Sequence, residues 1–327
     1  MTGRNEDEKC GSALGGGEVR ARFFEPPTGL RRYFTSFYLV EIDGPEATLL
    51  VDRLHPEWAN LRFFSGGCPL AEGVNGDRVE HAGFCATGPS SAAVTFTLGP
   101  TRMWGVGLLP LGWAMFVDWP AAELANRVVD GSAHPAFAPF APLARCLFGP
   151  TPDPDAELAR IAAYFSGRVL PAVPREPQIL ALHAALIDPN VATARALAQA
   201  AGLSPRTVER VAQAAFGFTP KLLLRRQRFM RSLAQYMLDP SLKWIGALDG
   251  HYHDQAQFVR DFREFMGMSP RQYGLLDKPV IGAIMRERAR VAGSAVQALD
   301  SPAGGAPIGH GTAAGHEGAV AGGGTSP

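Results

Sequence analysis

One six-residue joint occurs twice in this chain. Phe216-Gly217-Phe218-Thr219-Pro220-Lys221 recurs 50 residues later as Met266-Gly267-Met268-Ser269-Pro270-Arg271. Each copy reads apolar, Gly, apolar, hydroxyl, Pro, basic. Gly takes the left-handed conformation that ends one helix. Thr or Ser caps the next, and Pro suits its first turn. Two such joints predict two copies of one helical unit.

The unit before the first joint, ATARALAQAAGLSPRTVERVAQAAFG, has the layout of a helix-turn-helix. Leu197 and Ala201 face inward, and small Ala198 lies where the helices cross. Gly202 turns, Leu203 plugs the gap and Ser204 caps the second helix. Val208, Val211, Ala212 and Ala215 then form a buried stripe at helical spacing. Arg206, Thr207, Glu209, Arg210 and Gln213 are left outward, where a major groove would meet them. The second unit, SLKWIGALDGHYHDQAQFVRDFREFMG, repeats the scheme. Trp244, Ile245 and Leu248 are its first apolar set, with small Ala247 at the crossing. Asp254 caps, Phe258, Phe262 and Phe265 point inward, and Gln255, Gln257, Arg260 and Arg263 point largely outward. His251-x-His253 has no third ligand spaced nearby, so no metal site is expected.

Charge follows the same division. Residues 190–275 carry 12 Lys/Arg against 6 Asp/Glu, a net of +6, whereas residues 19–150 carry 10 against 12, a net of −2. The densest run, Lys221–Arg231, has no acid. A basic helical half beside a near-neutral half suggests nucleic acid for the former.

The two units and the long helix between them, near Lys221–Leu238, resemble the DNA-binding domain of the AraC/XylS family of bacterial transcription regulators. The match runs through Leu197-Ala198, Gly202-Leu203-Ser204-Pro205-Arg206, Arg210, Gly217-x-x-Pro220 and Arg228. It continues in Tyr252, Asp254-Gln255, Phe258, Arg260, Phe262 and Gly267-Met268-Ser269-Pro270. The chain departs from the family at Ala212, His251 and Gln257. Lighter packing of the first unit is expected at Ala212, and a left-handed turn at His251 or Gly250.

The resemblance implies two recognition helices in successive major grooves, about 34 Å apart. Ser204, Arg206, Thr207, Glu209, Arg210 and Gln213 would face DNA from the first unit. His253, Asp254, Gln255, Gln257 and Arg260 would do so from the second. Lys221, Arg225, Arg226 and Arg228 are expected at phosphates, some of them packed against the core. Implied partners are double-stranded DNA, a small-molecule effector, a second copy of the chain and RNA polymerase, with no cofactor and no metal.

Outside this region the expectation is a multidomain α+β chain. Residues 1–18 read as a flexible leader. Residues 19–150 read as a mostly antiparallel, barrel-like β domain for effector binding or dimerisation. Its strands are expected near Tyr33–Ile42, Thr48–Leu54, Leu61–Phe64, Ala92–Leu98 and Met103–Leu109, with one helix near Ala121–Val129. Residues 151–189 read as a helical linker, 190–276 as the all-helical DNA-binding domain and 277–327 as an extension disordered from about 293. Trp58, Trp104, Trp113 and Trp119 pack a core or line an effector pocket. Leu109-Pro110-Leu111-Gly112-Trp113 resembles the N-terminal domain of a poorly characterised branch of these regulators.

Four scattered cysteines without a C-x-x-C pair, no signal peptide and no long apolar run point to a reduced, cytoplasmic protein. No Gly-x-Ser-x-Gly elbow or His-x-His-plus-Glu set argues for an enzyme. The expected function is sequence-specific transcription regulation. The alternative is a ligand-binding or enzymatic β domain whose helical half does not read DNA.

Overall fold

The structure, a computed structural model, describes residues 17–169, 172–239, 243–293 and 295–301. Ten antiparallel strands fill the first part of the chain, the last of them after the first helix: β1 Glu18–Phe24, β2 Phe34–Asp43, β3 Leu50–Leu54, β4 Ala59–Gly66, β5 Leu70–Glu72, β6 Arg78–Glu80, β7 Phe84–Thr87, β8 Val94–Leu98, β9 Thr101–Leu108 and β10 Val128–Asp130. The helices are α1 Pro110–Phe116, α2 Ala141–Cys146, α3 Pro154–Ser166, α4 Glu176–Ile187, α5 Ala194–Ala200, α6 Pro205–Val211, α7 Pro220–Leu238, α8 Lys243–Gly246, α9 Gln255–Met266, α10 Pro270–Leu275 and α11 Pro279–Ala292. Among the described residues no helix is long and apolar enough to cross a membrane.

The strands form two sheets, one ordered β1-β2-β9-β4-β7-β10 and the other β3-β8-β5-β6. Period-two alternation decides what each face meets. From β2, Phe37 and Leu39 join a core shared with α1 and α3, while Tyr38, Val40 and Ile42 join Phe96 and Leu98 of the second sheet. The six-stranded sheet is thus covered on both faces. That is why β2 and β9 read as nearly continuous apolar runs rather than clean alternations. Trp58, Trp104 and Trp113 are all buried in the larger core, which extends through α4 into the first helix-turn-helix unit. Helix α3 belongs to that body: buried Glu157 accepts from Arg102 Nη1 and Nη2 (both 2.9 Å) and from Trp104 Nε1 (2.7 Å).

Three expectations are corrected. The helix at Ala121–Val129 is a single 3-10 turn, Ala121–Glu123, followed by β10. Asn126 has φ +58, which breaks a helix, and its Oδ1 accepts from Ser91 N (2.7 Å) and Ala92 N (3.2 Å). Among the described residues the first helix of the second unit spans Lys243–Gly246, and its turn uses no left-handed Gly250 or His251. Asp249 Oδ1 instead accepts from His251 N (2.9 Å) and turns the chain. Finally, order continues past residue 293, where disorder was expected to begin. Helix α11 packs against β1 and β3, the edge strands of the two sheets, which covers edges that would otherwise be open to pairing. Past Gly293, Ala295, Val296 and Ala298 are buried. Residues 1–16 and 302–327, with Cys10, His310 and His316, lie outside the described residues.

Candidate nucleic-acid interface

Each helix-turn-helix is assembled by local rules. In the first, Gly202 has φ +64 and makes the turn. Ser204 Oγ accepts from Thr207 N (3.2 Å), capping α6. Leu197, Ala198, Val208, Val211, Ala212 and Ala215 are buried. Ala212 is fully enclosed, and the chain from Ala212 to Phe216 widens into a π turn before Gly217. In the second unit, Asp254 Oδ1 accepts from Gln257 N (2.6 Å), and Gln257 Oε1 accepts in return from His253 N (3.2 Å). Phe258, Phe262 and Phe265 pack around Phe229 of α7. Ala247 is buried at the crossing; Ser269 opens α10 with a reciprocal capping box to Gln272.

The outward side chains fall into two groups. Arg206, Arg210, Lys221, His253, Gln255 and Arg260 are exposed, as are Arg263 and Arg271. Among the described residues, none of these arginines nor Lys221 makes an ion pair. The remaining predicted contacts have internal partners. Ser204 and Asp254 are caps. The Thr207 hydroxyl meets Ser204 Oγ (2.9 Å), Glu209 accepts from Gln213 Nε2 (3.1 Å), and Gln257 is half-buried at its own helix start.

The acid-free run on α7 behaves differently from its sequence reading. Arg225 Nη2 reaches Asp261 Oδ1 and Glu264 Oε2, both at 2.6 Å, and the bond to Glu264 leads in holding its pKa above the usual arginine value. Arg228 donates to Asp261 Oδ2 (3.1 Å) and stacks on Tyr252. Arg231 pairs with Asp249. Arg226 is fully buried. These contacts weld α7 to the second unit and to the β domain; among the described residues Lys221 and the buried Arg226 are the run's cations without a carboxylate partner. Acids downstream in sequence neutralise a stretch that looks purely basic when read alone.

Both units are braced against the β domain. Gly217 lies beside Ala121 O and Pro89. For the second unit, Ala93 N donates to Phe265 O (2.7 Å) and His55 Nε2 meets Tyr273 Oη at 2.6 Å. Arg226 Nη1 donates to Ser90 O (3.0 Å) and Glu57 O (3.3 Å). Asp52 of β3 accepts from Val280 N (3.0 Å) and Ile281 N (2.8 Å), capping α11 from across the molecule. No group of three or more His, Cys, Asp or Glu arranged to hold a metal occurs among the described residues.

Comparison with known proteins agrees with this reading of the helical half. A family described as "Helix-turn-helix domain" matches residues 197–274. That segment is similar to helix-turn-helix domains of the AraC type. No curated protein sequence matches the chain. Among solved structures, ToxT from Vibrio cholerae O395 is 8% identical, with TM-score 0.38, covering 79% of this chain and 96% of its own. ToxT from strain SCE256 with bound unsaturated fatty acid is 8% identical, with TM-score 0.39, covering 83% and 97%. The AraC-like transcriptional activator CuxR is 13% identical, with TM-score 0.26, covering 66% and 87%.

Proposed function

With residues 197–274 as an AraC-type DNA-binding unit, we propose that this chain is a sequence-specific transcription regulator. In this reading α6 and α9 enter successive major grooves of one duplex, with the β domain sensing an effector. The observation that carries it is the sorting of charge. Arg206 and Arg210 on α6, and Arg260 and Arg263 on α9, are exposed and make no ion pair among the described residues, while Arg225, Arg228 and Arg231 are held by carboxylates. Stability alone gives no reason to keep the first set unpaired. Guanidinium groups on recognition helices suit guanine O6/N7 and phosphate. Arg206 and Arg210 are assigned to direct contact, Gln255 and Arg260 to the second groove and Lys221 to phosphate. The caps Ser204 and Asp254 position backbone rather than read bases.

Selection of bound duplexes from a random pool with the full chain tests this. The expected outcome is a motif with two half-elements about one helical turn apart. Recovery of unrelated sequences, with affinity indifferent to salt, rules the proposal out.

A further inference from the structure

The segment after α11 ends in an unusual seat. Gln297 inserts its side-chain amide at the start of β4: Oε1 accepts from Trp58 N (3.1 Å), and Nε2 donates to Ala59 O and Thr35 Oγ1 (both 3.2 Å). The floor is Gly107 of β9, where any Cβ would overlap the Thr35 hydroxyl and the Gln297 amide nitrogen. A neighbouring backbone N–H and C=O, a hydroxyl and a glycine floor form a niche for one planar amide. Beside it lies a cavity of about 60 Å³, walled by Phe23, Leu54, Met230, Ile284 and Met285 on one side and by polar groups that include Glu57, Arg62 and Arg288 on another. That volume is far below the roughly 300 Å³ of a ligand pocket; Ala295, Val296 and Gln297 form part of its wall.

The seated amide is itself satisfied, but polar atoms on neighbouring residues are not. Trp58 Nε1, Gln227 Oε1, His183 Nε2 and two guanidinium nitrogens of Arg226 are buried without hydrogen-bond partners among the described residues. Buried polar atoms normally find partners. The occupying segment is a buried 3-10 turn with small side chains, tied by the Gln297 amide, the Arg288–Asp300 pair and Gln227 Nε2 donating to Ala298 O (2.7 Å). Gln227 belongs to α7, the helix between the two DNA-reading units.

We propose that this niche is the effector site of the β domain and that residues 295–300 are its built-in occupant. An effector carrying a planar carboxamide or lactam on a small apolar body displaces them. Its displacement of Ala298 releases Gln227 and so shifts α7. This rests on the regulator reading for its consequence but not for its chemistry.

The probe is the synthetic nonapeptide GSAVQALDS, residues 293–301, added to the full-length Gln297→Ala chain. The tethered wild-type segment has an effective concentration in the millimolar range or above, so the peptide should leave wild type unaffected. In Gln297→Ala it should raise Tm saturably, with at least tenfold weaker binding by the peptide carrying Gln297→Ala. Gly107→Ala should abolish the response. Equal binding of both peptides, or none, overturns the site. Should Gln297→Ala fail to fold, hydrogen exchange on wild type decides. Trp58 and residues 295–300 should open locally, faster than Phe37 and Leu61, and exchange only by global unfolding overturns the proposal. Duplex affinity of Gln297→Ala should differ at least threefold from wild type and return with peptide. Peptide binding without that change overturns the effector role. Failure of wild type to bind any duplex removes the regulator reading while the thermal result still decides the niche.

Discussion

The guanidinium of Arg226 lies 3.9 Å from the ring centroid of Trp58, with no carboxylate bonded to it. Burial pulls its pKa down to about 9. A cation–π contact and two carbonyls replace the usual counterion. Replacing a desolvated cation by an apolar group of similar length trades lost hydrogen bonds against relieved desolvation. Arg226→Met should therefore stay within about 1 kcal/mol of wild type, whereas Arg226→Ala, which also leaves a cavity, should cost about 2–5 kcal/mol. Urea denaturation measures both. A Met variant as damaged as the Ala variant would show that the charge itself holds the domains together.

Two histidines make the fold acid-sensitive. Burial, with a smaller push from Lys278, lowers His55 to about 3; burial and then Arg226 do the same for His183. Both folded values lie below the unfolded 6.5, so between those limits the unfolded chain binds more protons. Stability is full above about pH 6.5 and falls as pH drops toward 3, by roughly 2 kcal/mol per histidine at pH 5. Relative to wild type, His183→Phe should flatten this acid limb. Parallel pH profiles for the two proteins would contradict the assignment.

The repeated joint is not energetically equivalent in its two copies. Gly217 (φ +83) and Gly267 (φ +72) are both left-handed. A Cβ at 217 would sit 3.2 Å from Ala121 O and 3.2 Å from Pro89 Cβ, while at 267 it would meet open space. Gly267→Ala should cost about 1–2 kcal/mol, the backbone term alone. Gly217→Ala should cost more, because it also presses on the β domain. Chemical denaturation giving equal losses would place the first unit free of that domain.

Salt dependence should separate exposed from paired arginines. Each phosphate contact contributes a slope of about −0.9 in log K against log salt. On the selected duplex, Arg206→Ala or Arg210→Ala should reduce the slope by about one if the residue meets phosphate, or relax one base preference if it meets guanine. Arg225→Ala should lower Tm and leave the slope nearly unchanged. A slope reduced equally by Arg225→Ala would mean its pairs with Asp261 and Glu264 open on DNA.

What the sequence made legible was local. Caps at Ser204, Thr219, Asp254 and Ser269, the left-handed Gly202, Gly217 and Gly267 and the inward phenylalanines all follow from spacing over three or four residues, and all are present. Relations across long separations were hidden. Nothing near Arg225 signals Asp261, and nothing near Val280 signals Asp52. Strands β5, β6 and β10 have three residues each, too few for alternation to register. Helix α11 carries Arg286, Glu287, Arg288 and Arg290, which mask its apolar side until the β1 and β3 edges are known. The exposed arginines of the candidate interface were legible, but the neutralisation of their neighbours on α7 was not.

Because Asp52 caps a helix that begins at Pro279, the β domain is finished only after nearly all the described chain has been made. During synthesis both sheets must wait for α11 with their edges uncovered. That interval favours pairing with other nascent chains. A premature stop shortly before α11 would therefore harm the first domain translated more than the last, leaving a sticky, unfinished β domain rather than a chain short only of its tail.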